Sequence, residues 1–189
     1  MRIGLSGAHR TGKTTLAYEF AKKNNIEFIK TNASQIFEKN NISPNQKIGI
    51  VDRVVIQHRL LKEFEICWNE NEFITDRTPL DLLGYLYCDI MGDTYISESI
   101  IDFYTKKCVE IINKKFDYIF IIQPGIPLVY EKNKAPLNSI YINHLNLVIL
   151  GLSYLEKINT KIFVINENCL RISERINFIE NILKEKDLL

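Results

Sequence analysis

Hydrophobic positions along this chain alternate between short unbroken runs and helical spacing. Arg2–Leu5 is short, apolar and bounded by Gly7, which predicts a buried strand. Lys13–Lys23 predicts a helix with Leu16, Ala17, Phe20 and Ala21 on one face, and Ile26–Ile29 a second strand. After a polar stretch containing Pro44, residues 48–69 read as a long amphipathic helix. Its stripe is Val51, Val54, Val55, His58, Leu61, Phe64 and Trp68. Glu72–Thr75 is a third strand, followed by Asp76-Arg77-Thr78-Pro79, where Pro79 suits the first turn of a helix over 80–91. Ser97 can cap another helix over 98–115, with the stripe Ile100, Tyr104, Cys108 and Ile111. Tyr118–Ile122 is evenly apolar and too short for a surface helix, so it is a fourth, buried strand. A helix over 138–156, a fifth strand at Lys161–Ile165 and a helix over 171–186 complete the series.

Strands alternating with helices predict an α/β fold, a parallel sheet with helices on both faces. No internal repeat, low-complexity tract or linker interrupts residues 1–189, which are read as one domain with mobile loops near 92–97 and 124–137. Hydrophobic content of 46% and charged content of 25% are those of an ordinary soluble globular chain. The formal net charge of +1 supplies no global field toward nucleic acid or anionic membrane. Cys67, Cys88, Cys108 and Cys169 form no Cys-x-x-Cys pair and read as reduced, mostly buried thiols. No apolar run approaches the ~20 residues of a membrane span. The opening Met1-Arg2-Ile3-Gly4-Leu5 leads straight into a loop, with no room for a signal peptide, so the expected location is cytoplasmic.

That loop carries the chemistry. Gly7-Ala8-His9-Arg10-Thr11-Gly12-Lys13-Thr14 fits G-x-x-x-x-G-K-[ST] without a mismatch, between a strand and a helix, and Thr15 follows it. The glycines let backbone N–H groups turn inward around phosphate oxygens. Lys13 brings a positive charge to the β- and γ-phosphates, and the Thr14 hydroxyl is a hard ligand for Mg²⁺. The following helix aims its N-terminal dipole at the same anion. The loop therefore predicts binding of ATP with Mg²⁺ by residues 7–15, with Arg10 a candidate to reach the γ-phosphate. Lys13 is expected to be exposed, so that its removal costs little stability.

Motors, GTPases and small-molecule kinases share this loop. The Asn-Lys-x-Asp tetrad of a GTPase does not occur: Asn133-Lys134-Ala135 runs into Pro136. The most apolar strand ends in Gln123-Pro124, where a motor ATPase would carry a carboxylate. The strand that does end in one is Glu72–Thr75, followed by Asp76-Arg77, at the sheet edge where ligands bind. A carboxylate there can hold Mg²⁺ through water or take a proton from an acceptor hydroxyl, and a guanidinium can clamp phosphate. The bland alternative is a salt-bridged turn capping the next helix.

With these residues the chain resembles the P-loop nucleoside and nucleotide kinases, and within them the AAA_28-type kinases related to nicotinamide riboside kinase and phage nucleotide kinases. The resemblance implies a three-layer P-loop NTPase fold, with a five-stranded sheet in the order 2-3-1-4-5 and a lid at about 124–137. It implies Lys13, Asp76 and Arg77 near the reacting phosphates. Where such lids place arginine this chain offers Lys132 and Lys134. Adenine is expected near Asn166–Asn168.

On the long helix, Gln57 lies in line with Leu61, Phe64 and Trp68, one turn after Arg53. An amide on an apolar stripe needs a partner, either a nucleobase edge or buried backbone. His58 is read as a satisfied core histidine, Tyr85, Tyr87, Phe103 and Tyr104 as core or as base-stacking rings, and Asp89 and Asp93 as solvated. The expected activity is γ-phosphoryl transfer to a nucleoside or nucleoside monophosphate, with Arg53 and Gln57 in the acceptor pocket. The rivals are a kinase acting on a polynucleotide end or DNA base, and a regulatory ATPase module. The expected partner is a small-molecule acceptor; nucleic acid and a homodimer stay open.

Overall fold

The computed structural model describes residues 1–33, 49–68, 71–90, 96–129 and 137–185. Its strands are β1 (Arg2–Ser6), β2 (Glu27–Ile29), β3 (Phe73–Thr75), β4 (Tyr118–Ile122) and β5 (Lys161–Ile165). They form one five-stranded sheet in the order β2-β3-β1-β4-β5, and every pair is parallel. The helices are α1 (Lys13–Asn24), α2 (Ile50–Cys67), α3 (Pro79–Ile90), α4 (Glu98–Lys115), α5 (Ser139–Leu152) and α6 (Ile172–Lys184). The order anticipated from the sequence is the order observed, and helix and strand limits differ from expectation by a few residues.

Side chains alternate across the central strands and build two cores. Tyr118, Phe120 and Ile122 of β4 join Ile3 and Leu5 of β1, and pack on Leu16 and Phe20 of α1 and Ile176, Ile179 and Leu183 of α6. Ile119 and Ile121 point to the opposite face, against α2, α3, α4 and α5. The parallel topology sends β1, β3 and β4 toward the same edge, so Ser6, Asp76 and Gln123 end up together there.

The stripe expected on α2 is partly displaced. Val51 is 72% and Val55 43% exposed, and the buried face runs through Val54, Ile56, Gln57, Leu60, Leu61 and Phe64 to Trp68. At about 100° per residue, Val51 and Val55 lie on the flank away from Leu60 and Phe64. Ile100 is likewise exposed at the start of α4, while Tyr104, Cys108 and Ile111 are buried as expected. The cysteines are not mostly buried as expected: Cys108 is buried, Cys88 and Cys169 are half-buried, and Cys67 is exposed at the end of α2.

Gly84 marks the place where α3 meets α5. A Cβ there would stand 2.4 Å from Cγ1 of Ile149 and 3.3 Å from Cδ1 of Leu145. Gly84→Ala gains helix propensity but overpacks this crossing, and should lower stability by about 1–3 kcal/mol. A urea melt with an unchanged midpoint would contradict that expectation.

Candidate functional site

The loop between β1 and α1 turns through three left-handed residues: Gly7 at φ 134°, Arg10 at φ 65° and Gly12 at φ 84°. Glycine is required at the first for a second reason, since a Cβ on Gly7 would lie 2.6 Å from the Ile122 carbonyl oxygen. Arg10 holds a conformation that is costly for a side-chain-bearing residue, and its Nη1 donates to the Val129 carbonyl at 2.9 Å. The loop is thereby tied to the segment that follows β4. The Thr11 hydroxyl donates to the Ala8 carbonyl at 3.0 Å. The Ala8 N–H donates to Asn146 Oδ1 at 3.4 Å, and Asn146 Nδ2 to Gln123 Oε1 at 3.0 Å.

Lys13 is not exposed, contrary to the expectation for it. It is 8% exposed, and its Nζ donates to the carbonyls of Gly7 and Ala8, each at 2.7 Å. Asp81 Oδ1 stands 3.8 Å from the same ammonium. Burial lowers the Lys13 pKa, and the Asp81 charge opposes that shift. Thr14 and Thr15, by contrast, are exposed at the N-terminus of α1.

Thr14 meets Asp76 directly: its hydroxyl donates to Oδ2 at 2.6 Å. The other oxygen, Oδ1, accepts from the Thr31 N–H at 3.0 Å and the Thr31 hydroxyl at 2.8 Å. The end of β2 therefore orients the carboxylate that ends β3. A hydroxyl and one carboxylate are a hard-oxygen donor set that suits Mg²⁺ shared with phosphate oxygens and water. Among the described residues no cluster of three His, Cys, Asp or Glu side chains forms a protein-only metal cage. Asp76 does not cap α3, as the bland reading of the Asp-Arg turn would have it. Thr78 and Asp81 do that, with the Thr78 N–H donating to Asp81 Oδ2 at 2.9 Å and the Leu80 N–H to the Thr78 hydroxyl at 3.2 Å. The Arg77 guanidinium lies 6.0 Å from the centre of the Tyr85 ring.

Three polar residues of α3, one turn apart, connect this loop to α2. Asp81 reaches the phosphate loop, its Oδ1 accepting the Gly7 N–H at 3.1 Å. Tyr85 shares a hydrogen bond with His9 Nδ1 at 3.2 Å, and the His9 ring packs against both Tyr85 and Tyr141. Burial pushes the Tyr85 hydroxyl up to about 12. Asp89 is exposed, as expected, yet it is not free in solvent: its carboxylate pairs with Arg53 Nε at 3.1 Å. Burial pushes its carboxyl up and Arg53 opposes the shift.

Gln57 is 4% exposed, and its Oε1 is buried with no hydrogen-bond partner. The Tyr104 hydroxyl bonds the Gln57 backbone carbonyl at 3.2 Å. His58 is satisfied but half-buried rather than core, with Nδ1 3.0 Å from the Val54 carbonyl and its ring against Tyr104 and the exposed Phe103. Lys132, Lys134 and Asp93 lie outside the described residues.

The sequence did not point to Asp81, Thr31, Asn146 or Arg175. Arg175 is 2% exposed; its Nη1 donates to the Thr11 carbonyl and its Nε to the Cys169 carbonyl, both at 2.7 Å. It fastens the far end of the phosphate loop to the turn after Asn166–Asn168. A visible signal existed for Asp81: positions 81, 85 and 89 are polar at helical spacing in an otherwise apolar helix.

A family model described as an AAA domain, AAA_28, matches residues 2–128. No curated protein sequence matches the chain. Among solved structures, deoxyadenosine kinase from M. mycoides with bound dCTP aligns with a TM-score of 0.68 at 16% identity, over 98% of this chain and 100% of that one. Thymidylate kinase from Ehrlichia chaffeensis aligns with a TM-score of 0.61 at 15% identity, over 97% and 98%. NadR protein in complex with NR gives 0.69 at 14% identity, over 95% of this chain and 50% of that one. At these identities the likeness is one of fold.

Proposed function

Since this chain belongs to the AAA_28 family of AAA domains, we propose that it is an ATP-dependent kinase that transfers the γ-phosphoryl group to a nucleoside or nucleoside monophosphate. The observation that carries the reading is the meeting of Thr14 with Asp76 at 2.6 Å. It joins a phosphate-binding loop to a carboxylate from a separate strand, with Arg77 beside it. In this reading Lys13 exchanges its loop carbonyls for β- and γ-phosphate oxygens, and the amides of residues 9–15 surround them, those of Gly7 and Ala8 being held by Asp81 and Asn146. Thr14 and Asp76 would hold Mg²⁺. When bound, that ion neutralises charge on the phosphates and fixes their orientation. Arg77, with Lys132 and Lys134, is assigned to the charge that develops on the transferred group. Asp76 already accepts three hydrogen bonds, which favours the metal-holding role over that of a base for the acceptor hydroxyl. The Arg175 contact to Thr11 supports a site for adenine beside Asn166–Asn168. All four cysteines are free, as a reducing compartment such as the cytoplasm would keep them.

The acceptor is assigned to the side of α3 that faces α2. The unpartnered Gln57 Oε1 is suited to a nucleobase edge, and the Arg53–Asp89 pair, whose arginine lies one turn earlier on α2, offers one donor and one acceptor. Gln57→Ala should lower kcat/KM for the preferred acceptor by about tenfold to a hundredfold and blur discrimination between bases, with ATP affinity unchanged. Steady-state kinetics across the common nucleosides and monophosphates measures this; equal effects on all acceptors and on ATP would remove Gln57 from the pocket.

The activity itself is tested with radiolabelled ATP and a panel of nucleosides, monophosphates and 5′-hydroxyl oligonucleotides. Label is expected on a nucleoside or monophosphate. Label on the oligonucleotide alone would transfer the assignment to polynucleotide chemistry. Hydrolysis indifferent to every acceptor would make the chain a regulatory ATPase.

A further inference from the structure

Asp81 is a buried acid that the phosphoryl-transfer scheme leaves without a role. It is 1% exposed, and among the described residues it accepts from the Gly7 N–H, the Thr78 N–H and the Thr78 hydroxyl. That pattern accommodates a carboxylate, and Lys13 Nζ at 3.8 Å supplies the cation. Burial pushes the Asp81 carboxyl up, and the Lys13 charge opposes the shift. The other acid near this ammonium, Asp76, is turned toward Thr14 and Thr31.

We propose that Asp81 is a positioning residue that serves as the protein's own counter-ion to Lys13, competes with nucleotide phosphate for it, and thereby sets the affinity of the loop for nucleotide. This competition rests on residues 7–15 being a nucleotide-binding loop, as proposed above. A phosphate that takes Lys13 must draw the ammonium away from a fixed buried carboxylate, and must itself approach that negative charge. Both effects oppose binding. The same carboxylate fixes Gly7 to the first turn of α3, so it also determines where the loop begins. If anchoring were all it did, neutralising it would loosen the loop and weaken nucleotide binding. If it competes for Lys13, neutralising it strengthens binding. The two roles predict opposite signs.

Asp81→Asn keeps the size and an acceptor oxygen and removes the charge. Calorimetric titration with ADP, and separately with inorganic tripolyphosphate, should show binding tightened by about tenfold or more, as loss of a buried like charge a few ångströms from a phosphate implies. The ligand-free variant should melt lower than the wild type, because Lys13 then lacks its anion, and ADP should raise its melting temperature by more than it raises that of the wild type. Asp81→Ser, which keeps a shorter acceptor near the helix cap, is the second variant should the asparagine chain not fold, and binding should tighten in the same direction. A double-mutant cycle with Lys13→Met, read by denaturant unfolding, completes the test. Asp81→Asn should be costly beside Lys13 and neutral or stabilising beside Met.

Weaker binding of ADP and tripolyphosphate by folded Asp81 variants would overturn the proposal and leave Asp81 an anchor. Equal cost of Asp81→Asn in the two Lys13 backgrounds would overturn it as well. Failure of the wild type itself to bind ADP or tripolyphosphate would instead bring down the kinase reading, with the competition for nucleotide that rests on it.

Discussion

Lys13→Ala is expected to lower kcat by about a thousandfold, because in the proposed kinase its charge is aimed at the transferred phosphates, and such a charge is among the largest single contributions an active site makes. The structure adds a second expectation that the sequence alone reversed. A lysine reaching into solvent could be truncated at little cost, but this one is buried against two loop carbonyls and Asp81. Its removal strands a carboxylate in the interior, and breaking a buried pair in this way costs on the order of 3 kcal/mol. The variant should therefore fold, melt at a lower temperature and turn over poorly, and both losses are measured on one preparation by thermal denaturation and initial rates. Turnover near that of the wild type in a folded Lys13→Ala protein would remove the loop from the chemistry.

The elements that the sequence declared were those whose signal is local. β4 is a run of apolar residues because both faces of a central parallel strand are covered, and that run is visible without knowing its neighbours. The loop at 7–14 is visible because each residue type meets a separate demand of phosphate binding. What stayed hidden depends on side chains that meet across elements. Thr31 and Asp76 are brought together by the β2–β3 pairing, which aligns Ile29 with Thr75. Nothing near Thr31 in the chain announces it. Arg175 reaches Thr11 over more than 160 positions. Val51 and Val55 misled in the opposite sense, since apolar spacing at the start of a helix says nothing about which flank the neighbouring helices cover.

Helix α3 shows how the parts of the candidate site depend on one another. Asp81, Tyr85 and Asp89 repeat every fourth residue, so they lie along one face and touch Gly7, His9 and Arg53 in succession. A single rigid element thus sets the spacing between the phosphate loop and the residues assigned to the acceptor. Its start is fixed by Thr78 and Asp81 and its middle by the close contact of Gly84 with Ile149. Precision at the site then derives from a packed helix rather than from loops, the arrangement that holds reacting groups in register.

Asp76→Asn is the second variant with a large expected effect, and it separates chemistry from scaffolding. Asparagine keeps the volume and one acceptor oxygen, so one side of the Thr14 and Thr31 network survives while its amide faces the other. The Thr14 hydroxyl can rotate to accept from that amide, whereas the Thr31 N–H cannot, so the oxygen should turn toward Thr31. Folding then suffers modestly. What disappears is the negative charge beside Thr14, and with it the hard ligand proposed for Mg²⁺. The expected result is a fall in kcat of about a hundredfold or more with ATP binding kept within a few-fold. The Mg²⁺ concentration giving half-maximal rate should rise, a readout that a purely structural carboxylate would not move. A protein that melts earlier yet retains its turnover and its Mg²⁺ dependence would show that Asp76 braces β2 against α1 and takes no part in phosphoryl transfer.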